Sequence, residues 1–309
     1  MSASTLAYVF PGQGSQSVGM LAELAAAYPE VEATFVEASD ALGYDLWEVV
    51  QNDPQDNLNQ TEVTQPALLT ASVAIFRVLQ AQGKAQPGLL AGHSLGEYSA
   101  LVCAEVLSLA DAVKLVRARG QFMQSAVPAG TGAMYAIIGM DDADIERICA
   151  EVAAQQNAVV SAVNYNSPGQ VVIAGSKDAV AQAGAACKEA GAKRALPLAV
   201  SVPSHCALMQ PAAEQLAGLL AQIEFAPPRI PVINNVDVTQ LSSAADIKDA
   251  LVRQLYCPVQ WTKTVSSFAG LGITDVVEVG PGKVLTGLNK RIDKSLNCSC
   301  VNMPEHVEA

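Results

Sequence analysis

The pentapeptide Gly92-His93-Ser94-Leu95-Gly96 constrains the fold of this chain more than any other stretch. A short apolar run, Gly88-Leu89-Leu90-Ala91, precedes it, and residues 97–104, free of Gly and Pro, follow. That order fits a buried strand, a sharp turn and a helix. A serine at such a turn sits in strained backbone. Side chains two residues to either side would crowd it, so Gly92 and Gly96 supply the room. The turn lifts the hydroxyl off the sheet, near the positive end of the next helix, where a developing oxyanion is stabilised. The pattern predicts a nucleophilic serine. The plain alternative is a tight turn with an incidental serine.

The remaining pattern is an alternation of strands and helices. Residues 5–10 read as a buried strand that stops at Pro11-Gly12-Gln13-Gly14-Ser15-Gln16. The third glycine of a dinucleotide fingerprint is absent, as is a phosphate-loop lysine, so nucleotide binding is discounted. Helices are expected at 20–27 and 31–42, and a longer one capped by Thr64 with Pro66 in its first turn, ended by Gly83. Ser108-Leu109-Ala110-Asp111 is a capping box that opens another helix. Residues 133–200 read strand, helix, strand, strand, helix, strand, the ferredoxin-like split unit. From His205 onward, helices at 209–223, 246–255, 259–269 and 284–292 alternate with strands at 229–235, 274–279 and 298–303. The expected fold is α/β: a hydrolase-like, mainly parallel sheet flanked by helices, carrying an inserted ferredoxin-like subdomain. The expected division is a large domain from residues 1–128 and 201–309, and a small one from 129–200.

Composition narrows the function. A net charge of −12 argues against nucleic acid or an anionic membrane as the main partner. No apolar run is long enough to span a membrane, and the first ten residues show no signal peptide. The seven cysteines read as reduced thiols, which points to the cytoplasm. Cys298, Cys300 and His306 match no standard ligand spacing, so no metal is expected.

A serine nucleophile needs a base, most often histidine, and the chain has three. His93 adjoins the serine on the turn, so its side chain should project elsewhere, and His306 lies in a polar tail. His205, where the insert rejoins the main sheet, is the candidate. No Asp or Glu stands out to orient it, and a backbone carbonyl, Gln or Asn could serve. Arg119 has Leu115, Val116, Phe122 and Met123 at helical spacing, which puts it on the apolar face, with Arg117 on the wetter one. A buried guanidinium needs an anion. Either an internal carboxylate or a substrate carboxylate would answer.

These residues together resemble the malonyl-CoA:acyl-carrier-protein transacylases of dissociated fatty acid synthesis. The resemblance rests on Phe10-Pro11-Gly12-Gln13-Gly14-Ser15-Gln16, on Gly92 to Tyr98, on Arg119, and on Asn164-Tyr165-Asn166-Ser167-Pro168-Gly169-Gln170. Val202-Pro203-Ser204-His205, Asn234-Asn235-Val236-Asp237 and Gly280-Pro281-Gly282 complete it. It implies Ser94 as nucleophile, His205 as base, and the Gln254 backbone carbonyl orienting His205. It also implies the Gln13 and Leu95 N–H groups as oxyanion hole, Arg119 on the malonyl carboxylate, and no cofactor, the CoA thioester being a substrate. The implied partners are malonyl-CoA and an acyl carrier protein. Such carriers are acidic, as is this chain, so docking would need a local basic patch, for which Lys283, Lys290, Arg291 and Lys294 are candidates. The alternatives are a serine esterase or thioesterase of related fold, or an acyltransferase for another extender such as methylmalonyl. An esterase would carry a His-Gly-Gly-Gly loop, which is absent.

Overall fold

The computed structural model describes residues 4–200 and 202–309. Nine strands are present among them: β1 (Leu6–Phe10), β2 (Leu89–Gly92), β3 (Gly132–Ile138), β4 (Val160–Ser167), β5 (Gln170–Ser176), β6 (Arg194–Pro197), β7 (Val232–Ile233), β8 (Asp275–Val279) and β9 (Asn297–Val301). One sheet has the order β7-β2-β1-β8-β9, and every neighbouring pair in it is parallel. Its central strand, β1, reads LAYVF and is buried over four of its five residues, as a parallel strand covered on both faces requires. Helices Thr61–Ala81, Leu95–Cys103 and Leu109–Ser125 contribute Phe76, Leu101 and Val116 to the apolar layer over one face. Trp261, Phe268 and Leu288 cover the other.

The second sheet is antiparallel, in the order β4-β5-β3-β6, and arises wholly between Gly132 and Pro197. Helices Asp142–Gln156 and Lys177–Glu189 pack on it around Ile145, Val180 and Ile173, a core separate from that of the parallel sheet. This is the ferredoxin-like order. β4 is tied to the apolar layer that covers the parallel sheet where the Tyr165 N–H donates to the Val259 carbonyl at 3.0 Å and the Val259 N–H to the Val163 carbonyl at 2.8 Å.

Several expected boundaries move. The helix expected to open at Thr64 begins three residues earlier, as Thr61–Ala81. Thr64 lies inside it and its hydroxyl bonds back to the Leu58 and Gln60 carbonyls, so it closes the preceding turn instead of capping. Pro66 falls in the second turn, where its missing N–H removes one bond that tertiary packing outweighs, every residue from Val63 to Phe76 being buried. The strand expected over 229–235 shrinks to Val232–Ile233, an edge strand flanked by Pro231 and the Asn234 turn. Helix 259–269 divides into Trp261–Ser266 and a short turn at Ala269–Leu271. Two helices were unforeseen, Leu46–Asn52 and Pro304–Glu308. The second contains His306.

Candidate active site

β2 ends at Gly92, and two residues later Ser94 holds φ 51° and ψ −112°, a strained left-sided conformation just ahead of helix Leu95–Cys103. The flanking glycines are obligatory by contact. A Cβ on Gly92 would lie 1.9 Å from the Gly96 carbonyl, and one on Gly96 would lie 2.1 Å from the Phe10 carbonyl oxygen. Asn235, following β7, clamps the turn: its Oδ1 accepts the Ser94 N–H at 2.7 Å and its Nδ2 donates to the Gly92 carbonyl at 2.6 Å.

Ser94 Oγ lies 2.8 Å from His205 Nε2, and His205 Nδ1 lies 2.6 Å from the Gln254 carbonyl oxygen. A carbonyl only accepts, so Nδ1 carries the proton and Nε2 is left as the acceptor of the serine hydroxyl. His205 is also held at positive φ, 64°, its own N–H bonded to the Leu255 carbonyl. Burial pushes its pKa down to about 3, with the Arg119 charge adding to the effect and the Gln254 carbonyl opposing it. The imidazole is therefore neutral at ordinary pH, the form a base requires.

Arg119 reaches the same point from helix Leu109–Ser125, whose start is capped by Ser108 accepting the Asp111 N–H at 3.0 Å. It is 1% exposed, whereas Arg117 is half-buried and stacks on Tyr44. The guanidinium donates to Gln65 Oε1 at 2.7 Å, Gln254 Oε1 at 2.9 Å and Ser94 Oγ at 3.3 Å. It makes no ion pair among the described residues, and its Nε has no partner. Of the two anions open to it, the internal carboxylate in direct contact is not present. Neutral amides hold the cation in place, with the Tyr98 ring centroid 5.3 Å from the guanidinium carbon, and no carboxylate contacts it.

These groups open into one cavity of about 520 Å³, lined by Ser94, His205 and Arg119, by Gln13 and Leu95, and by Leu198 of the insert. The Leu95 N–H, in the first turn of its helix, has no intrahelical acceptor, and no described residue accepts the Gln13 N–H. His93 turns aside to Asn166 Oδ1, 2.8 Å away, with its ring tilted against Trp261.

The chain matches the family described as the acyl transferase domain over residues 7–302. It is 66% identical over 303 residues to the malonyl CoA-acyl carrier protein transacylase of Salmonella typhimurium, covering 98% of this chain and 97% of that one. Against the enzyme of the same name from Bacillus subtilis the identity is 44% over 305 residues, 99% of this chain and 96% of that one. The chain belongs to the malonyl CoA-acyl carrier protein transacylase family. Among solved structures, an acyl carrier protein S-malonyltransferase from Vibrio cholerae superposes with a TM-score of 0.96 at 63% identity, covering 99% of both chains. A malonyl-transacylase in complex with its type II polyketide synthase acyl-carrier protein gives 0.97 at 62% identity, covering 99% of this chain and 98% of that one.

The candidate docking residues, and the Cys298, Cys300 and His306 group, do not line the transacylase cavity. Lys283, Lys290, Arg291 and Lys294 are exposed on and beside helix Val284–Ile292, and Arg291 donates to Gln170 Oε1 at 2.8 Å. All seven cysteines are free thiols, and among the described residues no three metal-capable side chains converge. Sequence reasoning missed four contributors: Gln65 and the Gln254 side chain on Arg119, Asn235 as a clamp on the turn, and Glu97 beneath it. The signal available for Glu97 was a lone acid in an otherwise uncharged run, residues 95–103, all of which are buried.

Proposed function

We propose that this chain transfers the malonyl group of malonyl-CoA to the phosphopantetheine thiol of an acyl carrier protein, in the cytoplasm, feeding fatty acid synthesis. The observation that carries the reading is the position of Arg119, a buried cation with no carboxylate of its own, 3.3 Å from a serine already bonded to a neutral histidine. An ester or an acetyl group would leave that guanidinium unanswered. A three-carbon diacid answers it while presenting its thioester carbon to Ser94.

Ser94 Oγ attacks the thioester carbonyl as His205 Nε2 takes the hydroxyl proton. The Gln13 and Leu95 N–H groups receive the oxyanion, and the Gln254 carbonyl steadies the imidazolium through Nδ1–H. The C–S bond breaks, His205 returns its proton to the CoA sulfur, and malonyl remains as an ester on Ser94. The carrier thiol then loses its proton to His205 and attacks the same carbon. Ser94 leaves with that proton, and the malonyl thioester departs on the carrier. Both halves use one site, so the kinetics are ping-pong. Every group in these steps belongs to the chain or its substrates, and we assign no cofactor. The cytoplasmic assignment is supported by the free thiols and by the lack of any helix among the described residues long and apolar enough to cross a membrane.

For the carrier we assign the exposed cations Lys283, Lys290, Arg291 and Lys294 as a docking patch. Reversing Lys290 and Arg291 to Glu should slow transfer to the carrier and spare acylation by malonyl-CoA; equal losses in both halves would reject the patch. The function as a whole is tested by intact mass after incubation with malonyl-CoA or acetyl-CoA. A malonyl adduct on wild type and none on Ser94→Ala is expected. Rapid hydrolysis of a simple ester without a stable adduct would favour an esterase instead.

A further inference from the structure

Glu97 is 2% exposed and lies on the first turn of the helix behind Ser94. No cation touches it. Its Oε2 accepts the Asn235 N–H at 3.0 Å and Gln254 Nε2 at 2.8 Å. The same Gln254 nitrogen donates to the Ser94 carbonyl at 3.0 Å and faces Asn235 Oδ1 at 3.3 Å. The other end of that amide, Oε1, holds Arg119, and the backbone carbonyl of the same residue holds His205. One glutamine therefore touches nucleophile, base and cation. An amide turned the other way would present Nε2 to the guanidinium and Oε1 to a carboxylate, a double repulsion, so Glu97 and Arg119 together choose its orientation.

We infer that Glu97 is a positioning residue for malonyl recognition: through the Gln254 amide its carboxylate registers Arg119 against Ser94, and its negative charge moderates the grip of Arg119 on the incoming malonyl carboxylate. The inference rests on the transacylase reading above. The charged and titratable groups that face Glu97 are Arg119 from helix Leu109–Ser125, Tyr98 on its own helix, and Asp237 after β7, which is itself ion-paired to Arg253 of helix Ala244–Gln254. Arg119 favours the ionised form of Glu97, and Asp237 opposes it. Burial outweighs the rest and raises Glu97 to about 7, while His205 titrates near 3. A change in malonyl recognition near neutrality would therefore belong to Glu97 and not to the base. Delivering a second carboxylate to Arg119 in the same dry pocket makes the ionised Glu97 less favourable still, so malonyl binding takes up a proton from solvent onto Glu97.

The test is the ratio of kcat/KM for malonyl-CoA to that for acetyl-CoA in the acylation half-reaction, from pH 6 to pH 8.5. The CoA portion is common to both substrates and its own titration cancels. In wild type the ratio should fall by about tenfold as Glu97 ionises, with the change in KM and little in kcat. Glu97→Gln keeps an acceptor for Asn235 and Gln254 but carries no charge. Its ratio should be flat with pH and, at pH 8.5, higher than wild type. A wild-type ratio that does not change with pH overturns the inference, as does a folded Glu97→Gln whose profile copies wild type. Should Glu97→Gln fail to fold, the wild-type profile decides alone. No malonyl adduct on wild type at any pH would sink the transacylase reading itself. A normal adduct with a flat ratio sinks only the role of Glu97.

Discussion

The two sheets face the same cavity and contribute to it in different ways. The parallel sheet supplies Ser94 from the end of β2, the Gln13 loop from the end of β1 and Asn235 from the end of β7. Strands running the same way bring their carboxyl ends to one edge, where turns and helix starts expose N–H groups. The antiparallel sheet brings Met134, Asn164 and, from the segment after β6, Leu198 to Val200, with no titratable side chain. Reactivity is thus concentrated on one sheet, and the other shapes and dries the space above it. Strain follows the same division: Ser94 and His205 hold positive φ on the parallel side, and on the antiparallel side the only non-glycine to do so among the described residues is Asn157, at a helix end remote from the cavity.

That contrast can be broken by substitution. Ser94→Ala should lower acyl transfer on the order of 10⁴-fold or more, read by single-turnover acylation. Arg119→Ala should cut the preference for malonyl over acetyl on the order of a hundredfold, because the uncharged acyl group no longer leaves a buried cation unanswered. Gly96→Ala, with its Cβ driven 2.1 Å from the Phe10 carbonyl, should cost stability by denaturant melt, about 3 kcal/mol or more. Leu198→Ala, on the insert and 37% exposed, should change kcat/KM by no more than about threefold and stability by less than about 1 kcal/mol. A larger effect there than at Arg119 would mean that the insert takes part in recognition beyond forming a wall.

The pH dependence sharpens the same point, since two titrating groups of opposite sign sit on the parallel side. His205 is lowered in the fold, from 6.5 to about 3. Its contribution to stability is present above pH 6.5 and is lost as the pH falls toward 3. Glu97 is raised, from 4.5 to about 7, so its contribution is present below 4.5 and is lost as the pH rises through 7. Denaturant midpoints of wild type should therefore be highest between these limits. Glu97→Gln should gain relative stability above pH 7, and its acid limb should remain.

Local demands made a large part of this protein readable from its sequence. Gly92 and Gly96 bracket a serine because no other residue fits the turn, and Ser108 with Asp111 announces a helix start through bonds only three residues apart. The alternation of strands and helices across 132–197 sufficed for the ferredoxin-like order, since each element buries one face against its neighbour. Arg119 was recognisable as buried from its spacing. What held the cation was not recognisable, because Gln65 and Gln254 lie 54 and 135 positions away and resemble any other glutamine.

Tertiary structure alone makes the contacts. His205 meets Ser94 across 111 positions, and the atom that orients it is a backbone carbonyl, which every residue possesses, so that only the family resemblance and no property of Gln254 itself pointed to it. Thr64 looked like a cap until packing extended its helix past it. Glu97 stood in plain view, but its meaning depends on burial and on an amide 157 positions away. Short-range sterics and periodicity are written residue by residue along the chain. Charge and proton affinity belong to the surroundings that folding assembles, and those exist only once the sheet has brought its strand ends together.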